Sequence, residues 1–446
     1  MTGIPGQLIR TTTSTCPQCR QEVPAQIVEE GGKVYMKKFC VAHGPFELLI
    51  SRHPWYYKGL TEYYFEVMPQ KMEQRRFYIY LSNKCNMNCP ICLLDPNQGK
   101  VPDISIEKFK DVISRNKRSR FYLYGAEPTL RPDLLEWIRL LKQNGDLVNM
   151  HTNGINLTDH AYLKELKDHG LDYVSLQFDG FDDKIYMALR GQNLLEMKLQ
   201  VLDNLRRLNM STGFNVTIAK GVNEGQIAPI LDYAVKNPFI KDVSFATLSQ
   251  LGAACKNFAV DSLLMPDELI DMAEEQTKGK VSRRSIYLFQ KLYYAFLSAL
   301  NIRRCYNFQH LALVREKNGG YSTLDQLLGL ERFEKELDAF RGRVKSNKGL
   351  ATLSLGMQML LNFLSGNFLK KLSCIPLNMF IPGKLRSPKI PDKVLLISFG
   401  TVCDFIKYDS QISKYCGQGI CLEKDNKVLL TDNISDLSMF NNTACK

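Results

Sequence analysis

The run Cys85-Asn86-Met87-Asn88-Cys89-Pro90-Ile91-Cys92 offers three thiolates from one short segment. Thiolates are soft ligands, and a cube-like [4Fe–4S] cluster can take three of its irons from such a loop, leaving the fourth without a protein ligand. An iron left open can bind an exchangeable chelator through an amino and a carboxylate group. A zinc site or unrelated buried cysteines are the competing readings. Upstream, Cys16-Pro17-Gln18-Cys19 and, after a gap of twenty residues, Cys40-Val41-Ala42-His43 form two turn-like pairs. Three thiolates and an imidazole suit a tetrahedral zinc or, in a rubredoxin-like arrangement, a mononuclear iron. The rest of the thirteen cysteines are scattered. An auxiliary iron–sulfur cluster assembled from Cys305, Cys403, Cys416 and Cys421 is one expectation for them, and plain buried thiols are the other.

Further polar groups follow. Tyr124-Gly125-Ala126-Glu127-Pro128-Thr129 combines small residues, which let backbone approach a ligand closely, with a carboxylate that can make a charge-assisted bond to a cation. His151-Thr152-Asn153-Gly154, Gln177-Phe178-Asp179-Gly180 and the Arg190-Gly191 pair come next. Gln177 and Asn215 read as ligand contacts or equally as structural caps.

The elements that must position these groups form a regular series. Short apolar strands are expected over 77–81, 120–124, 147–151, 173–178, 213–218 and 242–246, separated by amphipathic helices. The clearest helical stripes are Leu195, Leu199, Leu202 and Leu205, and Leu134, Ile138 and Leu141. Repeated βα units imply an α/β fold with a buried parallel sheet, and six of them suit a partial TIM-like (β/α)6 barrel. A doubly wound sheet is the alternative. In both, chemistry belongs at the C-terminal ends of the strands, where the motifs lie. Residues 8–55 read as a metal-stapled ribbon, 76–250 as the barrel, and 251–446 as a separate α+β domain with helices over 266–276 and 285–300.

The chain of 446 residues is 45% hydrophobic and 23% charged, as in an ordinary globular protein, but its net charge is +12 and its pI about 9.0. A basic surface favours anionic partners, and no arginine-rich tail points to a specific nucleic acid. Residues 1–10 lack the apolar core of a signal peptide, which places the cysteines in a reducing, cytoplasmic setting. Residues 349–369 carry no charge and are flanked by Lys345, Lys348, Lys370 and Lys371. Leu353, Met357, Leu360, Leu364 and Phe368 lie opposite Ser354, Gln358, Asn362 and Ser365, which suits a helix lying on the inner face of a membrane. A helix packed on the protein core is the alternative.

The cysteine run resembles the C-x3-C-x2-C signature of the radical S-adenosylmethionine (radical SAM) superfamily, with Ile91 where that family often has an aromatic residue. Gly125-Ala126-Glu127-Pro128 is similar to its GGEP motif, with Ala126 in place of the second glycine. The resemblance implies a [4Fe–4S] cluster on Cys85, Cys89 and Cys92 that reductively cleaves S-adenosylmethionine (SAM) to a 5′-deoxyadenosyl radical. It further implies Glu127 on the methionine ammonium, Arg190 on its carboxylate, Gln177 and Asn215 near ribose or adenine, and a ferredoxin or flavodoxin as electron donor. From about residue 8 to 252 the order of parts resembles the archaeal tetraether lipid synthase family, whose members include 7,8-dihydro-6-hydroxymethylpterin methyltransferases. Cys305 and Cys416 fall where that family has auxiliary-cluster cysteines, but Leu429-Leu430-Thr431 stands where another is expected. The first expectation is hydrogen abstraction from a lipid carbon leading to carbon–carbon coupling. The alternatives are methyl transfer to a pterin or other small molecule, marked by a polar pocket in place of an apolar channel, and a non-catalytic iron–sulfur scaffold or regulator.

Overall fold

The N-terminal ribbon is built from four antiparallel strands, β1 (Gln7–Thr15), β2 (Glu22–Glu30), β3 (Lys33–Cys40) and β4 (Gly44–Ser51), hydrogen-bonded in that order. Gly31 and Gly32 both take positive φ, the conformation of a tight two-residue hairpin turn, and so set the β2–β3 register. Alternation along those strands buries Ala25, Ile27, Val34 and Met36 against Tyr57. The computed structural model describes residues 6–69, 76–94, 96–97, 103–116, 119–145, 147–259, 263–302, 304–364, 366, 370–371, 373–374, 390–402, 404, 406–413, 419–424 and 427–431.

The chain divides into two units, and the ribbon belongs to one formed by 1–73, 264–377 and 389–416. Within it Asp267 binds the ribbon's end, accepting from Ser51 Oγ (3.1 Å) and the Arg52 amide (2.7 Å) while Arg283 pairs with it from the other side. Asp409 accepts from Arg10 (2.5 Å) and Thr12 (2.7 Å) on β1. The helices Pro266–Gln276 and Arg283–Ala299 lie close to their expected bounds. Antiparallel pairing of Phe308–Arg315 with Tyr321–Thr323 and with Val394–Thr401 completes the unit's sheet structure. The helix Lys348–Leu364 leaves its apolar stripe uncovered: Leu353 is 73% exposed and Met357 59%. This excludes the core-packed alternative for Leu353, Met357, Leu360 and Leu364, while Phe368 lies outside the described residues. Among the described residues no helix is long and apolar enough to cross a membrane.

The other unit comprises 74–263, 378–388 and 417–446. Its six parallel strands, β5 (Arg76–Tyr80), β6 (Arg120–Tyr124), β7 (Leu147–Thr152), β8 (Tyr173–Gln177), β9 (Thr212–Ile218) and β10 (Ile240–Thr247), neighbour one another in sequence order. A doubly wound sheet reverses strand order part-way, so this order is that of a (β/α)6 barrel-type sheet and rules out the doubly wound alternative. Strand Gly419–Lys424 pairs in parallel with β5, so part of the tail joins the barrel sheet.

Each strand is two-faced. Phe77 stacks on Phe121 at 5.1 Å, and Phe121 meets Phe109 and through it Trp137 on the covering helices. The opposite row, facing the lumen, carries Tyr78, Tyr122, His151, Ser175 and Asn215. One helical stripe differs from expectation. In Leu195–Arg207 the buried positions include Lys198, Val201, Leu202 and Leu205, while Leu199 is 43% exposed. Positions 198, 201, 202 and 205 share one helical face, and a lysine occupies its first place.

Candidate functional site

The loop after β5 carries Cys85, Cys89 and Cys92. Its backbone is tied to the loop after β6, where Ala126 donates to the Ser82 carbonyl (2.9 Å) and Glu127 to the Lys84 carbonyl (3.0 Å). Gly125 has φ +138°, and a Cβ there would lie 2.8 Å from the Ser82 oxygen. The small residues therefore serve to bring the β6 loop against the cysteine loop. On the other side, Ala253 donates to the Cys92 carbonyl (2.8 Å), and a Cβ on Gly252 would come within 2.4 Å of that oxygen. Cys85 and Cys89 pack beside Met87, Tyr186 and Leu194. Burial pushes the Cys85 thiol up to about 12. Three thiols on a backbone fixed at both ends, with the Asn153 side-chain Nδ2 4.0 Å from the Cys85 sulfur, fit a cluster that takes three protein ligands.

Glu127 is fully buried. Its Oε1 accepts from the Thr129 amide (3.2 Å), Thr129 hydroxyl (2.6 Å) and Thr152 hydroxyl (2.7 Å), and its Oε2 from the Asn153 amide (2.8 Å). Burial raises its pKa and these donors offset part of that. Arg190 is likewise engaged inside the protein: Nε and Nη2 grip the two oxygens of buried Asp179 at 2.7 and 3.0 Å. The sequence expects both groups to face a ligand. Within the protein they also act as clamps, Glu127 across the ends of β6 and β7, and Arg190 with Asp179, which also accepts from the Thr217 amide on β9 (3.1 Å).

Two groups in this network escape the sequence reading. Asp179 sits in a quoted motif without an assigned role, and Lys198 gives no signal beyond a charge on an apolar helical face. Lys198 Nζ donates to the Asn153 carbonyl (2.5 Å), the Gln177 carbonyl (2.8 Å) and Gln177 Oε1 (2.7 Å), using all three ammonium protons. Gln177 Nε2 in turn donates to Asp179. Burial drives the Lys198 pKa from its ordinary 10.5 to about 7, against the pull of Asp179. Below about pH 7 the folded protein bears the full cost of the buried charge. Between about 7 and 10.5 the unfolded chain binds the extra proton, so the stability set by this site rises with pH. Lys198→Met is expected to remove that rise from the difference between denaturation curves taken at pH 7 and pH 9. An unchanged pH slope in the variant would show that the site does not titrate in this range.

One layer beneath the clamps, Asn215 Nδ2 donates to His151 Nδ1 (3.2 Å) and to Ser175 Oγ (3.0 Å). The His151 ring meets those of Tyr78, Tyr122 and Tyr124 at 5.9, 5.6 and 5.9 Å, and Tyr78 stacks on Tyr122 at 4.4 Å. Asn215 and Gln177 are thus bound to protein partners.

In the ribbon, Cys16, Cys19, Cys40 and His43 place one ligand atom each within 4.8 Å of one another. His43 Nδ1 lies 3.6 Å from Cys16 Sγ and 3.5 Å from Cys40 Sγ, and Cys19 Sγ lies 3.8 Å from Cys40 Sγ. Bonds of about 2.0–2.3 Å to a tetrahedral ion separate its ligands by about 3.3–3.8 Å, and these three separations match such edges. Burial pushes the Cys16 thiol up, but backbone amides of Cys19 and Gln18 outweigh it and leave the pKa at about 6.

Residues 79–234 match the model of the radical SAM superfamily. The chain carries a radical SAM domain. Residues 8–52 match the HMPTM N-terminal zinc ribbon domain, in agreement with the four gathered ligands. The chain is 33% identical over 307 residues to 7,8-dihydro-6-hydroxymethylpterin dimethyltransferase of Methanocaldococcus jannaschii, an alignment covering 62% of this chain and 61% of that protein. It is 30% identical over 162 residues to a probable GTP 3',8-cyclase of Pyrococcus abyssi, covering 35% and 52%. The chain thus spans about half to three fifths of the length of these curated relatives. Streptococcus suis SuiB bound to S-adenosylmethionine aligns with a TM-score of 0.39 at 16% identity, over 48% of each chain. Of the expected auxiliary set Cys305, Cys403, Cys416 and Cys421, most lies outside the described residues. Cys305 stands in one unit and the backbone of Cys421 in the other, while Cys403, Cys416 and the Cys421 side chain lie outside the described residues. No group of clustered metal ligands among the described residues includes Cys305.

Proposed function

We propose that this protein transfers a methyl group to a small, polar heteroaromatic substrate of the pterin type, by radical SAM chemistry. The observation that carries the reading is the lumen lining: where a lipid chain needs an aliphatic wall, the inward row presents Tyr78, Tyr122, Tyr124, His151, Ser175 and Asn215. The relatives named above are described by pterin and GTP chemistry, and the tetraether-coupling expectation draws no support from them. A cluster on Cys85, Cys89 and Cys92, reduced by a ferredoxin or flavodoxin, supplies one-electron cleavage of SAM when bound.

The chain's own residues do the positioning. Glu127, through Thr152 and Asn153, fixes the strand ends around the cysteine loop. Asp179 and Lys198 hold Arg190 and Gln177 beside it, and Gly125, Ala126, Gln177, Arg190 and Asn215 border the space for SAM. The uncovered stripe of Lys348–Leu364 is the one observation favouring the second reading, a lipid substrate met at a membrane surface. Anaerobically reconstituted protein, supplied with reductant and SAM, is expected to form methylated product from 7,8-dihydro-6-hydroxymethylpterin and none from phospholipid or isoprenoid-lipid vesicles. Product from the vesicles alone would replace the pterin reading with the lipid one.

A further inference from the structure

We propose that His151 selects the substrate, its Nε2–H donating to an acceptor nitrogen or oxygen of a flat heteroaromatic ring that lies against Tyr78, Tyr122 and Tyr124. The proposal rests on the reading of a small polar substrate and names the group that would recognise it. Asn215 Nδ2 donates to Nδ1 of His151, and that nitrogen, acting as acceptor, carries no proton. The ring proton of the neutral imidazole is therefore on Nε2. Asn215 is itself oriented by Ser175 Oγ at 3.0 Å, so the tautomer is set by a two-residue relay across β8 and β9. Burial lowers the His151 pKa to about 4, which keeps the ring uncharged at neutral pH.

Nε2 is screened from solvent and has no hydrogen-bond partner among the described residues. Buried donors are almost always paired, so an orphan on the lumen row, beside the partly accessible Tyr78 and Tyr124, marks where a ligand atom is expected. The rings around it suit a planar partner. Tyr78 and Tyr122 are parallel within 6°, and Tyr124 stands edge-on to the histidine at 89°. An aliphatic chain has no acceptor to offer and would leave Nε2 unpaired, whereas a pterin or purine ring carries several acceptors in its plane.

The test measures anaerobic binding of 7,8-dihydro-6-hydroxymethylpterin and, separately, of GTP to the cluster-loaded protein, for wild type, His151→Phe and His151→Gln. Phenylalanine keeps the ring and removes the donor, while glutamine returns a donor on a flexible stem. His151→Phe is expected to weaken the ring ligand that wild type binds by about tenfold or more, with glutamine recovering part of the loss. SAM affinity and the cluster's absorbance serve as readouts of an intact fold and should not change. If wild type binds the pterin and His151→Phe binds it equally well, the Nε2–H rests on a tyrosine face and the proposal is overturned while the pterin reading stands. If wild type binds only GTP and the variant loses it, the donor role stands and the pterin reading falls. Binding of neither ring by wild type overturns both. Should the phenylalanine protein lose SAM binding as well, His151→Leu takes its place: glutamine protein that binds the ring more tightly than leucine protein supports the donor role, and equal ring affinity in the two overturns it.

Discussion

Cys89→Ala protein, prepared without oxygen, is expected to lose most of its iron and sulfide and to form 5′-deoxyadenosine from SAM at least about a hundredfold more slowly than wild type. The reasoning is geometric. All three candidate ligands come from one loop, and without Cys89 only two thiolates remain on it. Cys89 also stands near Arg190, whose charge Asp179 stabilises against burial. Removing the sulfur leaves that guanidinium with its carboxylate partner, so the surrounding clamp has no reason to collapse. The zinc content of the ribbon should therefore be unchanged, and the loss of iron should be selective. A variant that keeps its cluster and its SAM cleavage would show that Cys89 is not a ligand and would remove the basis of the radical reading.

The barrel was readable because parallel strands buried by helices appear as short apolar runs with defined ends. Arg120–Tyr124 begins and ends where its pattern does, and the other strands differ by one or two residues at their ends. The cysteines were readable because spacing along a loop is itself geometry. What lay beyond reach depends on contacts between distant segments. Phe308–Arg315 pairs with Val394–Thr401 across some eighty residues, and no local pattern announces such a partner. Asp267 holds the ribbon's end from a helix more than two hundred residues downstream, so the sequence suggests a free-standing ribbon where the structure shows one element of a larger unit. Glu127 and Arg190 carry a related lesson. Residue type and position point to charged groups near a ligand, but only the three-dimensional structure shows that Thr129, Thr152, Asn153 and Asp179 also bond to them. Lys198 was hidden for a third reason. A lysine on a leucine-rich helix reads as a solvated charge unless the carbonyls it meets are known.

Replacing Cys40 with alanine, or removing metal with a strong chelator, is expected to unfold the cysteine end of the ribbon. Its apolar content there is slight: Cys16, Cys40 and Val23 are buried with only Cys19 and Phe46 packed on them. So small a cluster cannot offset the entropy of ordering two turns, and the metal supplies the difference. Structural zinc sites bind with roughly 10–16 kcal/mol near neutral pH, and where no site exists in the unfolded chain that free energy is folding free energy. The far end is held differently, by Tyr57 against Ile27 and Met36 and by Asp267 at Ser51 and Arg52. Loss of metal should therefore be graded along the strands. Hydrogen exchange should accelerate strongly at Cys16–Arg20 and around Cys40–His43, and much less at Ile27, Val34 and Ser51. Metal analysis of the wild type should return zinc at one equivalent, as the ribbon match implies. Uniform protection across the ribbon in the metal-free Cys40→Ala protein would mean that packing alone holds it, and the four gathered ligands would then be a reactive thiol site in place of a structural one.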